Sequence, residues 1–69
     1  MSPARGVVAS FDADTGLGTV TQDDGDSYGF HCTQIADGSR KIEVGTVVTF
    51  RVGPGGPGVW EAKSLRPEG

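Results

Sequence analysis

Glycine and proline interrupt this chain too often for a helix to persist in it. Twelve glycines and four prolines take sixteen of the 69 positions, and they separate short runs rich in Val, Thr and Phe, the pattern of strands joined by turns. Five runs predict strands: residues 5–12 (RGVVASFD), 16–22 (GLGTVTQ), 26–32 (DSYGFHC), 45–53 (GTVVTFRVG) and 58–66 (GVWEAKSLR). DADTG and DDGD carry Asp and Gly turn chemistry and suit hairpins, and PGGPG is a flexible turn. Thr33 to Val44 is a longer loop with room for one helical turn. Alternation puts Tyr28, Phe30 and Cys32 on one face of the third run and Gly29 and His31 on the other. In the fourth run Val48, Phe50 and Val52 form the more apolar set, which turns Arg51 to water. The last run sets Val59, Glu61, Lys63 and Leu65 against Trp60, Ala62 and Ser64; neither set is cleanly apolar, and Trp60 is not placed.

A chain of this length forms one small domain that buries roughly 60% of its unfolded surface, so a thin core and no large enclosed pocket are expected. Its sheet edges must be hidden. Five strands with a long connection after the third predict an all-β fold, a five-stranded antiparallel barrel of the oligonucleotide-binding (OB) type, with an open sandwich as the competing arrangement. The domain is expected over residues 1–66, with 67–69 a frayed tail. The lone cysteine allows no intrachain disulfide, which fits a reducing compartment and makes the cytoplasm the expected location. MSPARG holds no apolar run and nowhere do eighteen apolar residues follow one another, so neither a signal peptide nor a membrane span is expected.

The net charge is −3, and it is unevenly distributed. Residues 1–34 hold Arg5 against five aspartates, a sum of −4, whereas residues 35–69 hold five cations against four anions, a sum of +1. The later half is therefore the expected phosphate-facing side.

Enzyme motifs fail on inspection. Gly53 to Gly58 satisfies G-x-G-x-x-G, but that fingerprint needs a following helix and a βαβ unit, and only eleven residues remain. Asp12 and Asp14 resemble the start of a calcium loop, yet Leu17 stands where Gly is required and Asp23 where Glu is required. His31 and Cys32, as strand neighbours, point to opposite faces and are not expected to share a short hydrogen bond. With no second His or Cys there is no zinc set. No catalytic residue, metal or cofactor is expected.

GVVASF, GLGTV, YGFHCTQI and GPGVWEAKSL, read in order, resemble the bacterial cold-shock domain family across nearly the whole chain. Gly6, Val8, Phe11, Gly16, Gly18, Val20, His31, Ile35, Gly45, Val48, Phe50, Gly56 and Pro57 occupy matching places. The resemblance implies a five-stranded barrel that binds single-stranded RNA or DNA on the face of its first three strands. The departures bear on how. Where the family offers exposed aromatics, this chain has Ser10, Leu17, Thr19, Gly29, Cys32 and Ser39, and two of the family's usual lysines are Ala9 and Thr15. Phe30 stands where the family has a core valine. Each stacked base is worth about 1–3 kcal/mol, so losing three rings removes about 3–9 kcal/mol, comparable with the whole of a micromolar affinity.

The leading expectation is non-enzymatic, weak binding of single-stranded RNA or DNA with little sequence preference. Its candidate contacts are Phe11, His31, Arg40, Lys41, Arg51, Trp60 and Lys63. Phe11 either caps the barrel or lies under a base. The alternative is a protein-interaction or structural module on a barrel that has lost nucleic-acid binding.

Overall fold

The computed structural model describes residues 3–68. Strands β1 (Ala4–Asp12), β2 (Leu17–Gln22), β3 (Ser27–His31), β4 (Val47–Gly56) and β5 (Val59–Pro67) form a closed barrel in the order β1-β2-β3-β5-β4. A single 3-10 turn, Cys32–Gln34, opens the long connection between β3 and β4. The open sandwich is excluded by the closure.

One pairing departs from an antiparallel barrel: β3 meets β5 in parallel through Gly29 and Glu61, followed by a parallel bridge between Ile35 and Leu65. The cause is topological. Strand direction cannot alternate all the way round a ring with an odd number of members, so two neighbours must run the same way.

The core is Val8, Val20, Phe30, Ile35, Val48, Phe50, Ala62 and Leu65, each at most 3% exposed. Two β-bulges decide which side chains join it. In β1 the register steps from Val8 opposite Val20 to Ser10 opposite Thr19, so Ala9 is the extra residue. In β5 it steps from Lys63 opposite Arg51 to Arg66 opposite Thr49, and Ser64 sits there with φ 53°. An extra residue shifts the alternation by one. Ala62 and Leu65, three apart, therefore both point inward, which resolves the mixed pattern of the last strand.

Two expectations need correction. Val52 is 38% exposed: β1 pairs with β4 only as far as Ala4 opposite Phe50, and beyond that point the β4–β5 hairpin has no barrel wall to cover it. The end read as frayed is held as far as Glu68. Pro67 closes β5, the Glu68 amide donates to the Val47 carbonyl at 2.8 Å, and Arg5 Nε donates to the Glu68 carboxylate at 2.7 Å. Gly69 lies outside the described residues.

Candidate nucleic-acid interface

The register sorts β1, β2 and β3 into rows that run across the three strands. Two rows point inward, Val8–Val20–Tyr28 and Phe11–Gly18–Phe30. Three point outward: Val7–Thr21–Ser27, Ser10–Thr19–Gly29 and Asp12–Leu17–His31. The middle outward row continues from Gly29 to Glu61 on β5. Ser10, Thr19, Gly29 and Leu17 thus share one surface.

That surface carries hydroxyls where rings are missing. Ser10 Oγ lies 2.8 Å from Thr19 Oγ1 and Thr21 Oγ1 lies 3.3 Å from Ser27 Oγ, two cross-strand hydrogen bonds. The exposed apolar groups of this surface are Leu17, at 56%, and Val7, at 40%. Asp12 and Glu61 stand at the margins of these rows, and Asp14, Asp23, Asp24 and Asp26 are exposed in the adjoining turns, which weakens attraction for phosphate.

Phe11 faces the other way. Its ring is half-buried against the core and stacks on Phe30 with centroids 6.1 Å apart and planes 12° apart. Gly18 lies between their strands because nothing larger fits. A Cβ there would come within 2.6 Å of Phe30 Cζ and of the Ser10 carbonyl oxygen. Of the two roles open to Phe11 in the sequence, the geometry matches the barrel cap.

His31 is exposed at the end of β3, held by the turn that follows it. The Thr33 amide donates to His31 Nδ1 at 3.2 Å and the Thr33 hydroxyl lies 3.0 Å from the same atom. An acceptor at Nδ1 puts the proton of the neutral ring on Nε2. The ring and Cys32 close over Gly16, whose φ is 74° and where a Cβ would lie 3.1 Å from His31 Nε2 and 2.9 Å from Cys32 Sγ. Cys32 has left the strand for the 3-10 turn, so the two side chains are not on opposite faces as expected. Sγ still stands 3.9 Å from Nδ1, too far for a short hydrogen bond.

His31, Cys32, Thr33, Ile35, Gly38, Ser39 and Arg40 line a groove of about 390 Å³. That is within the range of small-molecule clefts, about 300–1,000 Å³. Its far wall is fixed by Asp37, whose carboxylate accepts from the Ser39 amide at 2.9 Å. Bonds from the Ser39 amide and hydroxyl hold the Asp37 carboxyl below its ordinary value.

The seven candidates therefore do not form one site. His31 and Arg40 share the groove; Lys41 is exposed in the same loop but does not line it. Arg51 and Lys63 are cross-strand partners on the outside of β4 and β5. Trp60 lies opposite Pro54, on the same side of the hairpin as Val52 and Ala62, and is 61% exposed. Alternation puts it on the face away from Arg51 and Lys63, so ring and charges cannot serve one platform. Sequence reasoning missed Asp37, which braces the groove, and Arg66, which was set beside the tail. Among the described residues no three His, Cys, Asp or Glu side chains stand together as a metal site.

A closed five-stranded barrel with this strand order and this outward face is an OB-type module. Residues 4–67 match the family described as the 'Cold-shock' DNA-binding domain, and the chain belongs to that family. No curated protein matches the chain. The family is one of nucleic-acid-binding domains, and the match covers every strand of the barrel.

Proposed function

We propose that this protein binds single-stranded RNA or DNA without catalysing a reaction, weakly and with little base preference, along the outer face of β1–β3 and into the His31–Arg40 groove. The observation that carries the reading is that groove. It places an imidazole with Nε2 as donor and a guanidinium beside the surface formed by Ser10, Leu17, Thr19 and Gly29. A base entering it meets His31 and the Ile35 side chain, and its phosphate meets Arg40. Lys41 adds charge at the loop. Phe11 supports the face from within.

Titration of labelled short pyrimidine oligonucleotides at low and physiological salt tests this. Binding should weaken steeply with salt, by a slope of about 0.7 in log K against log salt for each phosphate contacted. His31→Ala and Arg40→Gln should each weaken it, and Arg40→Gln should lower the slope. Absence of binding at millimolar strand in low salt defeats the proposal; unchanged affinity in both variants removes the groove from it.

A further inference from the structure

We propose that the outer face of β4 and β5 carries a second site, a groove for phosphate groups, created by the bulge at Ser64. Ser64 is the one non-glycine residue with positive φ among the described residues, at 53°, a conformation that side-chain-bearing residues adopt rarely and that merits a functional question where it occurs. Its effect is to aim a cation. Lys63 pairs with Arg51 and Arg66 with Thr49. Residues 49 and 51 share a face of β4, so Lys63 and Arg66, three apart, share that face too. In a straight strand they would point to opposite sides.

The result is a groove of about 240 Å³ lined by Pro3, Thr49, Phe50, Arg51, Ser64 and Arg66. Two guanidinium groups and two hydroxyls border it, with no carboxylate among the lining residues, and Lys63 stands beside Arg51. Ion pairs among the described residues belong to Arg5, with Asp23 and Glu68, so Arg51, Lys63 and Arg66 keep their charge available. Arg66 also borders a groove containing Asp37 on its other side, but no ion pair joins them. Forked guanidinium donors match phosphate oxygens, and serine and threonine hydroxyls supplement them. Glu61, opposite Gly53, shares this face, but three unpaired cations against it still make the face locally positive in a protein of net charge −3.

The phosphate has two possible sources, a free phosphate and the backbone of a strand that reaches this face, and only the second rests on the function proposed above. Amide and arginine side-chain NMR signals of Thr49, Arg51, Ser64 and Arg66 should be followed. The probes are inorganic phosphate against chloride at equal ionic strength, a four-nucleotide oligothymidylate and a twelve-nucleotide one. Shifts with phosphate and not chloride identify a free-phosphate site; shifts with the longer strand alone identify backbone phosphates. Either supports the groove. If neither phosphate nor strand moves these signals, the proposal is overturned.

For the strand, the double variant Arg51→Gln, Arg66→Gln should lower the salt slope of the longer oligonucleotide by about 1.4, two contacts at about 0.7 each, and leave the shorter one unchanged. Equal slopes in wild type and variant, with strand-induced shifts present, overturn the backbone assignment. Amide signals outside β4 and β5 that stay at their wild-type positions show that the double variant keeps the fold. Failure of every strand to bind while phosphate shifts persist would sink the proposed function and leave the groove standing.

Discussion

Replacing Phe11 by alanine separates a core role from a base-stacking role, because the two predict losses in different assays. Phe11 packs half-buried against the core and stacks on Phe30 at 6.1 Å. A fully buried Phe→Ala change costs about 3–5 kcal/mol, so a half-buried ring loses about 1.5–2.5 kcal/mol. The ring pair adds about 0.5–1.5 kcal/mol. The expected loss is thus about 2–4 kcal/mol, a large share of the stability of a small domain. Urea denaturation at low temperature reads it as a lower midpoint at unchanged m. Phe11→Leu serves where the alanine variant is unfolded. Oligonucleotide affinity, measured where the variant is folded, should change by less than about threefold, whereas a ring under a base would give a loss of about 5–150-fold. A double-mutant cycle with Phe30→Leu should return a coupling of about 0.5–1.5 kcal/mol. An unmoved midpoint with a tenfold loss of affinity would refute the inward assignment.

Gly18→Ala should destabilise by about 1–3 kcal/mol through overpacking, toward the upper end because one clashing atom is the Ser10 backbone carbonyl at 2.6 Å; a midpoint within error of wild type would contradict the close approach. Thr19→Phe puts a ring at the centre of the outward face and should tighten oligonucleotide binding by about 5–150-fold with little change in stability; no gain would mean the strand lies elsewhere. Asp37 titrates below its ordinary value of 3.8 because Ser39 donates to it. Its support for the loop is therefore present above the unfolded value and is lost as pH falls through the lower folded one. Carboxyl NMR should show this titration below the ordinary value, moving up only in part in Ser39→Ala, which keeps the amide donor; an Asp37 titration at the ordinary value in the wild type would remove the brace.

The strands were legible because glycine and proline mark their ends and β-branched runs fill them, and alternation alone puts Val48 and Phe50 on the core face of the fourth run. The bulges were not legible. Nothing in GVVASFD distinguishes Ala9 as an extra residue, yet it is what turns Phe11 inward instead of onto the outer face. Ser64 likewise hides the inward pairing of Ala62 with Leu65 and the outward pairing of Lys63 with Arg66. Trp60 was unreadable for a third reason, since alternation gives a side but not the point where the barrel wall ends. The groove joins residues from β3 to Arg40, and only the path of the loop brings its two ends together.

The positions of the rings explain why binding should follow charge more than base identity. Of five aromatic residues, Phe30 and Phe50 are buried, Phe11 and Tyr28 pack against the core, and Trp60 is exposed on the hairpin. An aromatic side chain buries about 150–250 Å², which at about 25 cal/mol per Å² amounts to an upper estimate of about 4–6 kcal/mol. The same ring on the surface gives about 1–3 kcal/mol per stacked base. In a chain short enough to have a thin core, a ring therefore contributes more to the barrel than it would to a ligand. What remains on the β1–β3 face is hydroxyls, glycine, Val7, Leu17, Asp12 and, at its edge, His31, so no Phe, Tyr or Trp ring is left there to distinguish bases by stacking. Under the proposed function, the attraction left to a strand is largely that of Arg40, Lys41 and the β4–β5 cations for phosphate. Exchanging one pyrimidine for another should alter affinity less than a doubling of salt does, and the reverse order would mean that the β1–β3 face reads bases although it presents no Phe, Tyr or Trp ring.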